Sequence, residues 1–201
     1  MSNNQISFLP PIKRRKDFAS FKDFINEIFE LFITQFYTSK ISFKNSIVKL
    51  SPKLLKCKDT DNCQSIEYNC NNCPFKDKPE RFNHIVTGKN EFSRTPGKFR
   101  EDRASRIHWI KYIIENHMDP QILYFHKPHK QKIRHYFWAK EENYIVIIQE
   151  EKRFQYFLIT AFIVDDPTYY KRYEQDYKNY LSNFKKTHHV DGSIPLSTLT
   201  S

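Results

Sequence analysis

Residues 121–164 read QILYFHKPHKQKIRHYFWAKEENYIVIIQEEKRFQYFLITAFIV. Four segments within this stretch, 121–127, 132–140, 143–150 and 153–164, are dense in aromatic and β-branched residues, the types that fill a pleated, half-buried surface. The breaks at Glu141-Glu142 and Glu151-Lys152 are long enough only for hairpin turns. Parallel neighbours need a crossover of a dozen or more residues, so the spacing predicts a four-stranded antiparallel meander. The third and fourth segments are apolar at nearly every position, which predicts central strands covered on both faces.

Working outward, residues 98–116 (KFREDRASRIHWIKYIIEN) predict a helix with Ile107, Ile110, Ile113 and Ile114 facing the core. On that helix Arg100, Arg103 and Arg106 recur every three residues and form a neighbouring stripe. Residues 18–37 carry Phe21, Phe24, Ile25, Ile28, Leu31, Phe32 and Phe36 at helical spacing, with Asp17 or Ser20 as cap. These two helices are the expected covers of the sheet. Pro167 then opens a tyrosine-striped helix over 167–185. The expected fold class is α+β: helices packed on a four-stranded antiparallel sheet, with a Cys-rich loop insertion. The chain divides into a basic arm and amphipathic helix (1–56), a Cys-rich loop module (57–97), the helix–sheet–helix unit (98–185) and a flexible tail (186–201).

The 201-residue chain carries a net charge of +10. Residues 1–56 are net +6, 57–97 neutral, 98–140 net +6 and 141–201 net −2. Positive potential concentrated in two segments is what a phosphate-tracking surface requires, so RNA or another polyanion is the expected partner. No apolar run approaches the ~20 residues of a membrane span. The start, MSNNQISFLPPIKRRK, lacks the apolar stretch of a secretory signal. A cytoplasmic, reducing location with no membrane partner is the resulting expectation.

All four cysteines fall in one segment: Cys57-x5-Cys63-x6-Cys70-x2-Cys73. In a reducing compartment such a set reads as metal ligands or thiols before disulfides. Four thiolates satisfy a tetrahedral structural Zn2+, with no open position for water. They also match the ligand count of a cubane iron–sulfur cluster. Free thiols or two local disulfides are the metal-free alternatives.

Metal-independent RNA cleavage needs a base for the 2′-OH proton, an acid for the leaving 5′-oxygen, and cations or donors around the phosphate. The sheet half offers each type. Arg103 and Arg106 can grip a phosphate with planar forks, or pair with Glu101 and Asp102. His126, His129 and His135 are the expected general acid or base near neutral pH. Arg134 and Tyr136 share one face of their strand, and His135 the other. Thr160 lies in the apolar run LITAFIV, on the alternation that also carries Tyr156, Leu158 and Phe162.

The pattern Arg103-x-x-Arg106-Ile107-x-Trp109-Ile110, then Arg134-x-Tyr136-x-Trp138, Tyr144-Ile145-Val146-Ile147 and Tyr156-Phe157-Leu158-Ile159-Thr160-Ala161, followed by a Tyr/Lys-rich last helix, resembles a known group. It is similar to phage- and mobile-element-associated members of the barnase–EndoU–colicin–RelE-like (BECR) RNase superfamily, over residues 95–182. The resemblance implies helices on a four-stranded antiparallel sheet. It also implies metal-independent cleavage of RNA by a toxin or effector, and Arg103, Arg106, Arg134, Tyr136 and Thr160 as the site, with His135 the added candidate. An antitoxin or other protein partner docking on the aromatic helices is compatible with that role. Non-catalytic nucleic-acid binding and a pure protein-interaction role are the competing readings.

Overall fold

The computed structural model describes residues 8–54, 73–88 and 98–188. In chain order the elements are α1 (Phe21–Ile33), continued by a π turn (Thr34–Thr38), β1 (Ser42–Phe43), β2 (Ser46–Lys49), α2 (Glu80–Thr87), α3 (Glu101–Ala104) and α4 (Trp109–Glu115). The strands β3 (Ile122–His129), β4 (Lys132–Ala139), β5 (Tyr144–Lys152) and β6 (Gln155–Ile163) follow, and α5 (Pro167–His188) ends the series. No helix among the described residues is long and apolar enough to cross a membrane.

The meander of β3 to β6 forms as the short breaks predict. Each hairpin turn places one residue in the left-handed region, Lys130 (φ 56°), Asn143 (φ 51°) and Phe154 (φ 62°). The sheet, however, is larger and mixed. Six strands run in the order β1-β2-β6-β5-β4-β3, and β2 lies parallel to β6 through Val48↔Tyr156 and Lys49↔Phe157. The fold is α+β, but its sheet is neither four-stranded nor wholly antiparallel. Two reasons explain the difference. The added strands are two and four residues long, too short for a periodicity signal. Their docking also joins segments more than a hundred residues apart, which no turn-length argument detects.

The sheet curls. Phe43 of β1 packs its ring on Tyr124 of β3 (5.8 Å), Phe137 of β4 (5.1 Å) and Tyr156 of β6 (5.0 Å), although β1 and β3 are the two ends of the strand order. Inside the curl, α1, α2 and α4 contribute Phe24, Ile28, Phe32, Phe82, Ile85 and Trp109 to one core with Phe137, Val146, Ile148, Leu158 and Ala161. Fully burying each such side chain is worth about 1.5–3 kcal/mol. On the outer face α5 lays Tyr170, Tyr173 and Tyr177 over Phe125, Tyr136, Trp138, Ile145 and Ile147. The second cover is therefore the tyrosine helix. The predicted 98–116 helix is two short helices joined by a turn. There Arg106 N–H bonds the Arg103 carbonyl (3.1 Å) and Ile107 N–H that of Ala104 (3.2 Å), a tighter pitch than an α-helix. The break aims the Trp109 indole N–H at the Pro10 carbonyl (2.7 Å) and His108 at that of Pro11 (3.0 Å), pinning the N-terminal segment.

Ser20 caps α1 by accepting from the Asp23 N–H (3.1 Å). At the other end of that helix, buried Gln35 donates to the Ile107 carbonyl (3.3 Å) and accepts from the Lys111 N–H (2.9 Å). This amide joins the π turn to the start of α4 and satisfies groups that no helix ladder reaches.

Candidate active site

Strand β6 carries a bulge. Thr160 pairs with Ile147 and Leu158 with Ile148, so Ile159 is the extra residue. Alternation would put Thr160 on the same face as Tyr156 and Leu158. The bulge reverses it: Leu158 is sealed in the inner core, while Ile159 packs with the outer-face cluster. Thr160, opposite outer-face Ile147, is half-buried on that outer face. Ile147 also pairs with Tyr136, so Thr160, Ile147 and Tyr136 form one row across three strands. At the usual strand spacing Thr160 and Tyr136 are ~10 Å apart.

Two cationic groups come from α2 and α3 to the end of β6 that carries Thr160, beyond the stretch paired with β2. Arg81 of α2 donates from Nη1 to the Ile159 carbonyl, immediately before Thr160. Arg103 of α3 lays its guanidinium over the Phe162 ring, two residues beyond (5.4 Å). The two carboxylates nearest Arg103 are both engaged elsewhere. Asp102 accepts two bonds from Arg100 (2.9 and 2.7 Å) and Asp165 accepts a third (2.8 Å). Arg103 thus has no ion-pair partner among the described residues, and its buried Nε has no hydrogen-bond acceptor. Burial, with Arg100 close by, lowers its pKa from the usual arginine value. A half-buried guanidinium that shares the charges of Asp102 and Asp165 with Arg100, and touches neither, can accept an anion.

His84 lies one helical turn after Arg81. Burial, with the charges of Arg81 and Arg103, lowers the pKa of its imidazole from the ordinary value and so favours the neutral ring. Gly88 closes α2 at φ 71°, and a Cβ there would lie 3.6 Å from Arg103 Nη1. On the floor, Arg134 donates from Nε to Gln149 (3.0 Å) and is close enough to Arg81 to lower that group's pKa, after the larger effect of burial. Tyr136 is sealed between Phe125, stacked at 4.8 Å, and Tyr173. Burial raises the pKa of its hydroxyl, and the charge of nearby Arg134 opposes this.

The structure brings Arg103 close to the end of β6 that carries Thr160 and Arg134 close to Arg81, while Tyr136 shares the outer-face row with Thr160 but is sealed under α5. It does not bring Arg106 to that end of β6. Arg106 stacks on Trp109 (5.2 Å) and donates to the Asp102 carbonyl (2.8 Å), bracing the turn between α3 and α4. His135 faces the inner side of the sheet, hydrogen-bonded through Nδ1 to the Tyr124 hydroxyl (2.9 Å). Arg81 and His84 belong to the site but were not singled out from the sequence, because the Pro-punctuated stretch 76–97 reads as irregular. The signal was available: Pro79 and Gly88 bracket Phe82, Ile85 and Val86 at helical spacing.

No protein-family model, no curated protein and no solved structure matches the chain. Among the described residues no group of three or more His, Cys, Asp or Glu is placed to hold a metal ion. Cys57, Cys63 and Cys70 lie outside the described residues, and Cys73 is buried against the inner core.

Proposed function

We propose that the protein is a metal-independent endoribonuclease that cleaves RNA by attack of the 2′-hydroxyl on the adjacent phosphate. One observation carries the reading. Arg81 bonds the carbonyl just before half-buried Thr160, Arg103 lies over the ring two residues beyond it, and the charges of both act on His84. The resemblance over residues 95–182 supports the same chemistry.

In this scheme Arg103 and Arg81 hold the phosphate and offset its developing charge, and the Thr160 hydroxyl donates to a non-bridging oxygen. His84 takes the 2′-OH proton as the O2′–P bond forms. The P–O5′ bond breaks, the 5′-oxygen takes up a proton, and a 2′,3′-cyclic phosphate remains. No protein nucleophile is required, and orientation supplies much of the rate. Release of such an activity in a cell fits a toxin or phage-associated effector held in check by a partner protein.

The test is incubation of the purified protein with total RNA in EDTA. Cleavage with cyclic phosphate ends is expected. Arg103→Ala and Thr160→Val should each lower the rate by about 10²–10³-fold with the melting temperature preserved. Arg106→Ala should instead reduce stability, by about 1–3 kcal/mol, because the Asp102 carbonyl loses its donor. RNA that stays intact while bound would overturn cleavage and leave a binding protein.

A further inference from the structure

A recess opens where the curl brings the β1–β2 turn toward β3. Its volume is about 1220 Å3, above the roughly 300–1,000 Å3 of most small-ligand sites. Lys44 and Asn45 of the turn, His126 of β3, Phe154 of the β5–β6 turn and Tyr180 of α5 line it. None of these residues belongs to the Thr160 surface.

One wall is built of planar rings. Tyr124 and His135 stack nearly parallel (7°, centroids 6.1 Å), tied by their hydrogen bond. His126 lies against Tyr124 (6.3 Å), and Tyr180 meets His126 edge-on (5.0 Å). His126 and Tyr180 are half-exposed, so their rings are available to the recess. Such faces suit a flat heterocycle, and base–aromatic stacking is worth about 1–3 kcal/mol per base.

The opposite wall carries a cation. Lys44 and Asn45 take left-handed backbone (φ 47° and 61°), as a two-residue hairpin turn requires. This projects the Lys44 ammonium over the Phe43 ring (5.5 Å) and the Tyr124 ring (5.6 Å). Among the described residues no carboxylate lies within ion-pair distance of it. Burial draws its pKa below the usual lysine value, and Glu150 only partly opposes this. The other lysine of the recess, Lys127, is by contrast paired with Asp176. An exposed ammonium beside stacked rings, with no carboxylate in ion-pair contact, suits an anion attached to an aromatic group.

We propose that this recess binds a nucleotide unit, with the base against His126 and Tyr180 and the phosphate at Lys44. The site stands on its own observations, whether or not the Thr160 surface cuts RNA. The nucleotide could be a free monophosphate or one link of a single strand, and the two sources are separable by experiment.

The full-length protein is titrated calorimetrically with adenosine 5′-monophosphate and, separately, with a short 2′-O-methyl oligoadenylate that cannot be cleaved. Binding with Kd below about 1 mM is expected for at least one probe. Lys44→Ala and Tyr180→Ala should each weaken it by about tenfold or more, and Arg103→Ala should leave it unchanged. Binding of the monophosphate supports a free nucleotide; binding of the oligomer alone supports a strand. Should either variant fail to fold, the His126 ring resonances of the wild-type protein serve instead, and they should shift on addition of the bound probe. No binding of either probe, unmoved His126 signals, or a loss caused by Arg103→Ala and not by Lys44→Ala overturns the proposal.

Discussion

The Arg81 guanidinium donates to the carbonyl of Ile159, the residue that bulges out of register in β6. A side chain of α2 thereby holds the backbone distortion that turns Thr160 outward. Replacing Arg81 with Met keeps much of the packing and removes the donor. Cleavage should fall about 10²-fold, the scale expected when a reacting group is misplaced by about an ångström. Arg81→Lys should not restore it, because an ammonium lacks the fork that reaches both backbone and phosphate. Full activity in the Met variant would separate the bulge from catalysis.

Acid should destabilise the protein. Burial, with His126, Lys44 and His117 adding to it, holds the His135 imidazole down to about 3. The Glu150 carboxylate approaches Nε2 at 3.7 Å, too far to hydrogen-bond and rescue the charged form. An unfolded imidazole takes up a proton below about 6.5, whereas the folded one resists until about 3. Between these values the unfolded state binds more protons, so stability falls as pH falls. This one group contributes up to about 1.4 kcal/mol per pH unit across that window and nothing above it. Urea midpoints measured from pH 7.5 to 4.5 should drop, and His135→Phe should show a shallower slope. A flat wild-type profile would contradict the buried neutral state.

Phe154 holds a left-handed backbone at φ 62° while its ring is exposed, a costly choice for a bulky residue. Glycine relieves that conformation. Phe154→Gly should raise stability by about 0.5–1 kcal/mol in chemical denaturation. The same change should weaken nucleotide binding, since the ring lines the recess. A stability loss would show that the ring packs more than it strains.

The cysteines carry a separate expectation. One zinc per chain, on Cys57, Cys63, Cys70 and Cys73, should appear by elemental analysis of protein purified without chelator. Cys73→Ser should lower both zinc content and melting temperature, and EDTA should leave RNA cleavage intact. Metal-free protein with undiminished stability would point to thiols.

Much of the sheet was legible. The four segments of 121–164 became β3 to β6 with ends moved by one or two residues, because aromatic alternation and short breaks are local signals. Ser20 and Pro167 marked helix starts for equally local reasons. The hidden features depend on distance or on a single inserted residue. A largely apolar strand such as QYFLITAFI contains nothing to announce a bulge at Ile159, so the side on which Thr160 emerges could not be read. Arg106 has the spacing of a site residue and the contacts of a brace. Helix α2, only eight residues long, brought the unforeseen Arg81 and His84.

The parallel contact of Val48 with Tyr156 also orders events during synthesis. The N-terminal ribbon leaves the ribosome first but finds its neighbour only when the last strand has emerged. Closing so long a loop is slow relative to forming the hairpins. A nascent chain therefore carries β1 and β2 as an unpaired ribbon until β6 has emerged, so the six-stranded sheet closes after its hairpins have formed.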